Sequence, residues 1–118
     1  MRKSAVYIVV TSLFLAFAAA LIFAAPAARV GDYHTCPQVT GFVPHIGGPI
    51  LSGSSNVFIC GNAAATVSSF ASCNGSLDQI IQGSVIVFIN GLPAARQGDV
   101  SAHGGLITQG CPTVLIGP

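Results

Sequence analysis

The chain contains no glutamate, and Asp32, Asp78 and Asp99 are its only carboxylates. That inventory leaves little for acid–base chemistry, and neither a Gly-x-Ser-x-Gly nucleophile elbow nor a Gly-rich phosphate loop occurs. Charge of either sign is scarce. Only 6% of the residues are charged, with Arg2, Lys3, Arg29 and Arg96 set against the three aspartates. No basic field exists, so nucleic acid is excluded as a partner. Helical periodicity is also missing after residue 28. Asn62-Ala63-Ala64-Ala65 offers a helical start, but Thr66, Val67 and Ser68-Ser69 stop it at once.

What is present divides into two regimes. Ala5 to Ala25 carries no charge and is long enough to cross a bilayer as a helix, with Arg2 and Lys3 ahead of it. We read residues 1–25 as one apolar, membrane-active helix and residues 26–118 as a single domain. A cleaved signal peptide is the competing reading, because Ala18-Ala19-Ala20 offers small residues, although the apolar run exceeds the ~7–15 residues of an h-region. A leader foreign to the domain, or a mistaken start site, is the third. The remaining roughly 90 residues make a core too small to be secure without a staple. A weakly charged surface with 14 Gly and 7 Pro implies that much of it meets a partner.

Repetition organises the rest. Pro26-Ala27-Ala28-Arg29-Val30-Gly31-Asp32 and Pro93-Ala94-Ala95-Arg96-Gln97-Gly98-Asp99 agree at six of seven positions. Between them Ala63-Ala64-Ala65-Thr66-Val67-Ser68-Ser69 is a worn copy without the Pro, the Arg and the Gly-Asp. A strand unit also recurs, over 50–61, 80–91 and 106–117, at about 30-residue spacing. Ser84 to Ile89 alternates as a strand, and Asn90-Gly91 is a hairpin turn signal. The domain is therefore mainly β, built of three pseudo-repeated β-hairpins. The Arg and Asp of each intact copy, three residues apart, are expected to stabilise a turn.

All the metal-binding side chains lie beyond the leader: His34, Cys36, His45, Cys60, Cys73, His103 and Cys111. His34 and His103 follow the two intact copies by two and four residues, His45 precedes the first strand, and Cys111 opens the last one where Ser54 and Ser84 stand earlier. Three imidazoles and a thiolate make a closed tetrahedral set for structural Zn²⁺. Such an ion would contribute about 10 kcal/mol to folding. Cys36, two residues from His34 on the same strand face, is an alternative member. A catalytic zinc held by three histidines, with Cys111 displaced, is the enzymatic reading, and it lacks a glutamate base. Cys60 and Cys73 remain, either paired with each other or free.

On these residues the chain resembles the PAAR-repeat family, named for the tetrapeptide at Pro26 to Arg29 and Pro93 to Arg96. The resemblance extends through Val43-Pro44-His45-Ile46-Gly47-Gly48, Ala102-His103-Gly104-Gly105 and Gly110-Cys111-Pro112-Thr113. It implies a small cone-shaped domain that sharpens the tip of a trimeric VgrG-type spike in type VI secretion and related contractile injection systems. It also implies an apical Zn²⁺, held by three His and one Cys that map onto His34, His45, His103 and Cys111. The function implied is non-enzymatic: membrane piercing by a tip secreted through, or membrane-associated with, the apparatus. A cargo effector or chaperone is a further partner, and residues 5–25 are the segment for a membrane. A membrane-tethered zinc-binding adaptor and an exported zinc hydrolase are the alternatives.

Overall fold

The computed structural model describes residues 24–118 apart from residue 75, and among these every regular element is a β-strand. The expected apolar helix over 1–25 lies outside the described residues except for its last two. Of those, Ala25 already belongs to the domain, as the first residue of strand β1 (Ala25–Ala27). Among the described residues no helix is long and apolar enough to cross a membrane.

Two of the three expected hairpins are continuous. β5 (Phe58–Ile59) pairs with β6 (Asn62–Ala63), and β9 (Phe88–Ile89) pairs with β10 (Leu92–Pro93). Their turns, Cys60-Gly61 and Asn90-Gly91, have positive φ at both residues, the backbone that closes a two-residue hairpin in step with strand twist. Asn62-Ala63 is thus strand, because its partner Phe58-Ile59 claims its backbone. The third unit is split: β1 pairs with β11 (Cys111–Ile116) in the same register, Ala25 opposite Ile116 and Pro26 opposite Leu115. The two ends of the domain stand where the other units have a tight turn.

The strand expected over Ser84–Ile89 shrinks to its last two residues. The Ser84 hydroxyl accepts from the Ile86 and Val87 N–H groups at 3.2 and 3.0 Å, which bends the chain before the ladder begins. Ser54 does the same at Val57 and Asn56.

The three Ala-Ala segments meet on a pseudo-three-fold axis. Ala28 N–H donates to Ala95 O at 3.0 Å, Ala95 N–H to Ala65 O at 3.0 Å, and Ala65 N–H to Ala28 O at 2.9 Å, a closed ring of three bonds. Around it the core is stacked in two layers. One holds Ala27, Ala64 and Ala94 with Ile59, Ile89, Ile116 and Cys111; the next holds Ala28, Ala65 and Ala95 with Ile50, Ile80, Ile107 and Ala71. Burying three isoleucines in each layer supplies roughly 1.5–3 kcal/mol per side chain, and only alanine is small enough on the axis between them.

Each Ala-Ala segment runs into the same turn. Asp32 accepts from Arg29 N–H at 2.8 Å and Asp99 from Arg96 N–H at 2.7 Å, with each arginine side chain clasping its own aspartate. In the worn copy Ser69 Oγ takes over, accepting from Thr66 N–H at 3.0 Å. Gly31 and Gly98 hold φ of 97° and 93°; Ser68 holds 82° without being glycine. Beyond the turns the segments continue through β4 (Gly47–Ile50), β7 (Phe70–Cys73) and β8 (Asp78–Gln79), a three-stranded sheet ordered β4-β7-β8. A last small hairpin pairs β2 (Val39–Thr40) with β3 (Val43–Pro44).

Ser68→Gly is expected to stabilise the domain by about 0.5–1 kcal/mol, since the left-handed backbone strains an L side chain. Ser69→Ala is expected to cost about 1 kcal/mol through loss of the cap. Thermal melting of the two variants checks both, with opposite shifts of several degrees.

Candidate metal centre

After each turn the chain is extended, so alternate residues face the axis. Counting from Asp32, Ser69 and Asp99, the second residues are His34, Ala71 and Ser101, all buried; the fourth are Cys36, Cys73 and His103. The ladder confirms this register, with His34 opposite Ile107, Ala71 opposite Ile50 and Ser101 opposite Ile80. Three repeats therefore deliver three equivalent side chains, two thiols and an imidazole, to one point on the axis. His45, in the connection between β3 and β4, adds a fourth.

Ligand atoms of Cys36, His45, Cys73 and His103 all lie within 4.8 Å of one another. Cys36 Sγ is 3.7 Å from His45 Nδ1 and 3.4 Å from His103 Nδ1; Cys73 Sγ is 3.3 Å from His45 Nδ1. Tetrahedral zinc with its usual bond lengths separates S from N by about 3.5 Å, so these edges fit the ion. The Cys36–Cys73 Sγ separation of 3.0 Å is shorter and would open to about 3.8 Å around zinc. The cluster can bind a metal ion, and its donor chemistry suits a borderline-soft one.

The surroundings prepare the donors. His45 Nε2 lies 2.6 Å from the Thr40 hydroxyl; as a donor to that oxygen it leaves Nδ1 with a free lone pair facing the sulfurs. The Cys73 thiol is pushed up to about 12 by burial, by its hydrogen bond with Cys36, and by the charges of Cys36 and Asp78. A cation reverses that bias, so metal uptake releases thiol protons and is favoured as pH rises.

Below the cluster sits a polar layer. Burial alone would raise the Asp78 pKa, but the Ser101 hydroxyl, the N–H groups of His103 and Gln79, and the His103 charge hold it below the ordinary carboxylate range. Asp78 Oδ1 accepts from His103 N–H at 2.9 Å, fixing the backbone of a cluster member. Asp78 Oδ2 is 3.0 Å from His34 Nε2, and His34 Nδ1 is 2.8 Å from Gly48 O. A carbonyl only accepts, so Nδ1 carries hydrogen.

Of the four expected ligands, two lie in the cluster and two lie elsewhere. The structure brings His45 and His103 together. His34 is instead engaged at both ring nitrogens, one layer deeper. Cys111 does occupy the position of Ser54 and Ser84, but that position belongs to the first core layer, at the far side of the isoleucines, where its sulfur forms a disulfide with Cys60. The pairing of Cys60 with Cys73 is likewise replaced: Cys36 and Cys73 are the free thiols. Equating His34 with His103 hid Cys73. The signal that finds it is a constant offset, four residues past Gly-Asp, Ser-Ser and Gly-Asp.

A family model described as the PAAR motif matches residues 40–109. A comparison with curated proteins finds no match.

The Cys36→Ser/Cys73→Ser double variant is expected to lose zinc binding by more than the about 10–100-fold that outer-shell partners are worth. Cys60→Ser/Cys111→Ser is expected to keep one tightly held ion per chain. Metal analysis after exhaustive dialysis, with competitive chelator titration, checks the pair.

Proposed function

The chain belongs to the PAAR-motif family, and from that premise we propose that it is the zinc-stabilised, non-enzymatic tip of a trimeric VgrG-type spike in a contractile injection system such as type VI secretion. The observation that carries this reading is the closed hydrogen-bond ring through Ala28, Ala65 and Ala95. A single chain with a pseudo-three-fold axis matches a partner whose three-fold axis is true.

The end of the axis away from the metal cluster supports docking there. Phe58, Phe88 and Leu115 occupy equivalent strand positions, opposite Ala63, Pro93 and Pro26, and are 63%, 56% and 60% exposed. Val85 and Ile86 extend this collar. Three equivalent apolar side chains suit the blunt end of a β spike. With Ala25 paired to Ile116, an N-terminal segment joins the domain at this end too. Membrane contact through residues 5–25, and cargo carried beside the tip, are parts of the same proposal.

Zinc is the ion proposed because two thiolates and two imidazoles close a tetrahedron. Four protein donors leave no coordination position for water, and the chain has no glutamate to act as a base, so the ion's role is to pin three segments where hydrophobic layers have run out. The mechanism is mechanical: a cross-linked point that transmits axial force without fraying.

Co-purification with a trimeric spike is expected at one chain per trimer, measured by native mass. Phe58→Arg/Phe88→Arg is expected to abolish the complex while zinc content stays unchanged. A complex that survives both charges, or a ratio of three chains per trimer, would sink the reading.

A further inference from the structure

The three facets around the axis are not equal, and the inequality is concentrated in one place. Arg29 and Arg96 are mostly buried, their side chains 19% and 11% exposed, and each lies along its facet against its aspartate. Arg96 also donates from Nη1 to Gly117 O at 2.9 Å. The corresponding residue of the middle facet is Thr66, with Ser69 in the aspartate's place.

A third truncation falls beside these two. Gln82 Oε1 accepts from Val100 N–H at 3.1 Å and Gln109 Oε1 from Tyr33 N–H at 3.0 Å; on the middle facet Ser52 Oγ makes the same bond to Phe70 N–H at 2.9 Å. Serine thus keeps the bond and gives up the length of glutamine. Arg, Asp and Gln are all shortened on one facet, and there a groove of about 310 Å³ opens. Its volume is at the lower end of the range for small-ligand sites.

The groove is lined by hydroxyls of Ser52, Ser68, Ser69 and Thr66, with Ile89 and Leu92 as apolar wall. Thr66 is only 6% exposed, yet its hydroxyl has no hydrogen-bond partner among the described residues. No fully enclosed side-chain oxygen lacks a partner, so this hydroxyl reaches the groove. Asn90, which matches Gly117 in register, lines the same space. The Thr66 hydroxyl therefore faces the groove as an oxygen open to a donor.

We propose that this groove receives an arginine side chain presented by an extended segment of a partner polypeptide. The molecule itself shows the fit, since the same space on another facet is filled by Arg96. The aliphatic stem lies against Ile89 and Leu92, and the guanidinium donates to the Asn90 carbonyl and the serine and threonine oxygens. No carboxylate faces it, so the charge stays partly hydrated and the single side chain binds weakly; the backbone of the segment supplies the remainder. Resting on the spike-tip reading, one further consequence follows: a three-fold spike capped by one such chain offers a single groove, and so takes one cargo or adaptor.

The test is a titration of the zinc-loaded domain with N-acetyl-arginine amide, followed by amide proton–nitrogen correlation spectra. Shifts are expected at residues 52–55, 66–69 and 89–92, with a dissociation constant of about millimolar for one side chain. The neutral isostere N-acetyl-citrulline amide is expected to bind several-fold more weakly. Ser52→Gln/Thr66→Arg/Ser69→Asp, which rebuilds the facet in the image of the other two, is expected to abolish the shifts; Ser52→Gln alone, a smaller change, is expected to weaken them. Shifts that are absent, lie elsewhere, are matched by citrulline, or persist undiminished in Ser52→Gln would overturn the proposal. A wild-type chain that joins the spike but ignores arginine would overturn this inference alone and leave the tip assignment standing.

Discussion

Three backbone hydrogen bonds on the axis are the constraint from which the rest of the fold follows. Ala28, Ala65 and Ala95 each give one N–H and take one in turn, so no segment can be removed without orphaning a buried donor and a buried acceptor in its neighbours. The ring also dictates residue size. Three Cβ atoms converge where an isoleucine from each unit already closes the layer, and a larger side chain at 0% exposure has nowhere to go. The glycines that lead into the hairpins show the same crowding. A Cβ at Gly53, Gly83 or Gly110 would stand 2.5–2.8 Å from the carbonyl of Ala64, Ala94 or Pro26.

The metal centre is a consequence of that ring combined with the strand period of two. Once the turns fix the register, positions two and four residues on must face the axis. The nearer level is closed by His34, Ala71 and Ser101, with Asp78 inserted among them at 0% exposure. A buried ionised carboxylate is costly unless its oxygens are fully bonded, and here four groups converge on it. The farther level presents donor side chains in place of isoleucine. Two thiols and an imidazole stand there with His45 above them, a cluster that can bind a metal ion.

Much of this was legible in the sequence, and what was not has a physical cause. The repeats, the positive-φ turns at Asn90-Gly91 and the caps at Asp32 and Asp99 follow from local chemistry and could be read directly. So could His45 and His103 as candidates. The cluster's other two members, Cys36 and Cys73, could not, because choosing between His34 and Cys36 depends on which of two same-face levels gathers the donors, and that follows only from how the isoleucine layers pack. Cys111 misled for a related reason: its equivalence with Ser54 and Ser84 was visible, but not that this position lies at the opposite end of the core. The disulfide to Cys60 then depends on contact across 51 residues of sequence. Nothing in the spacing revealed that the third hairpin is closed by the ends of the domain.

The worn facet shows which parts of the repeat the fold requires. Any side-chain oxygen that accepts the turn N–H supplies the cap, worth about 1 kcal/mol, whereas the arginine that clasps the aspartate lies outside that bond. The middle repeat has drifted along that division. It has given up Arg and Asp, and kept an oxygen at Ser69 for Thr66 N–H, a left-handed residue at Ser68 and both alanines. The backbone bonds are kept as well: Ser68 N–H reaches Ile80 O at 2.8 Å, as Gly31 reaches Ile50 and Gly98 reaches Ile107. Because the ring and the turns carry the structure, the side chains outside them are free to diverge. Divergence confined to one facet leaves the backbone ring three-fold while making the three faces chemically unequal.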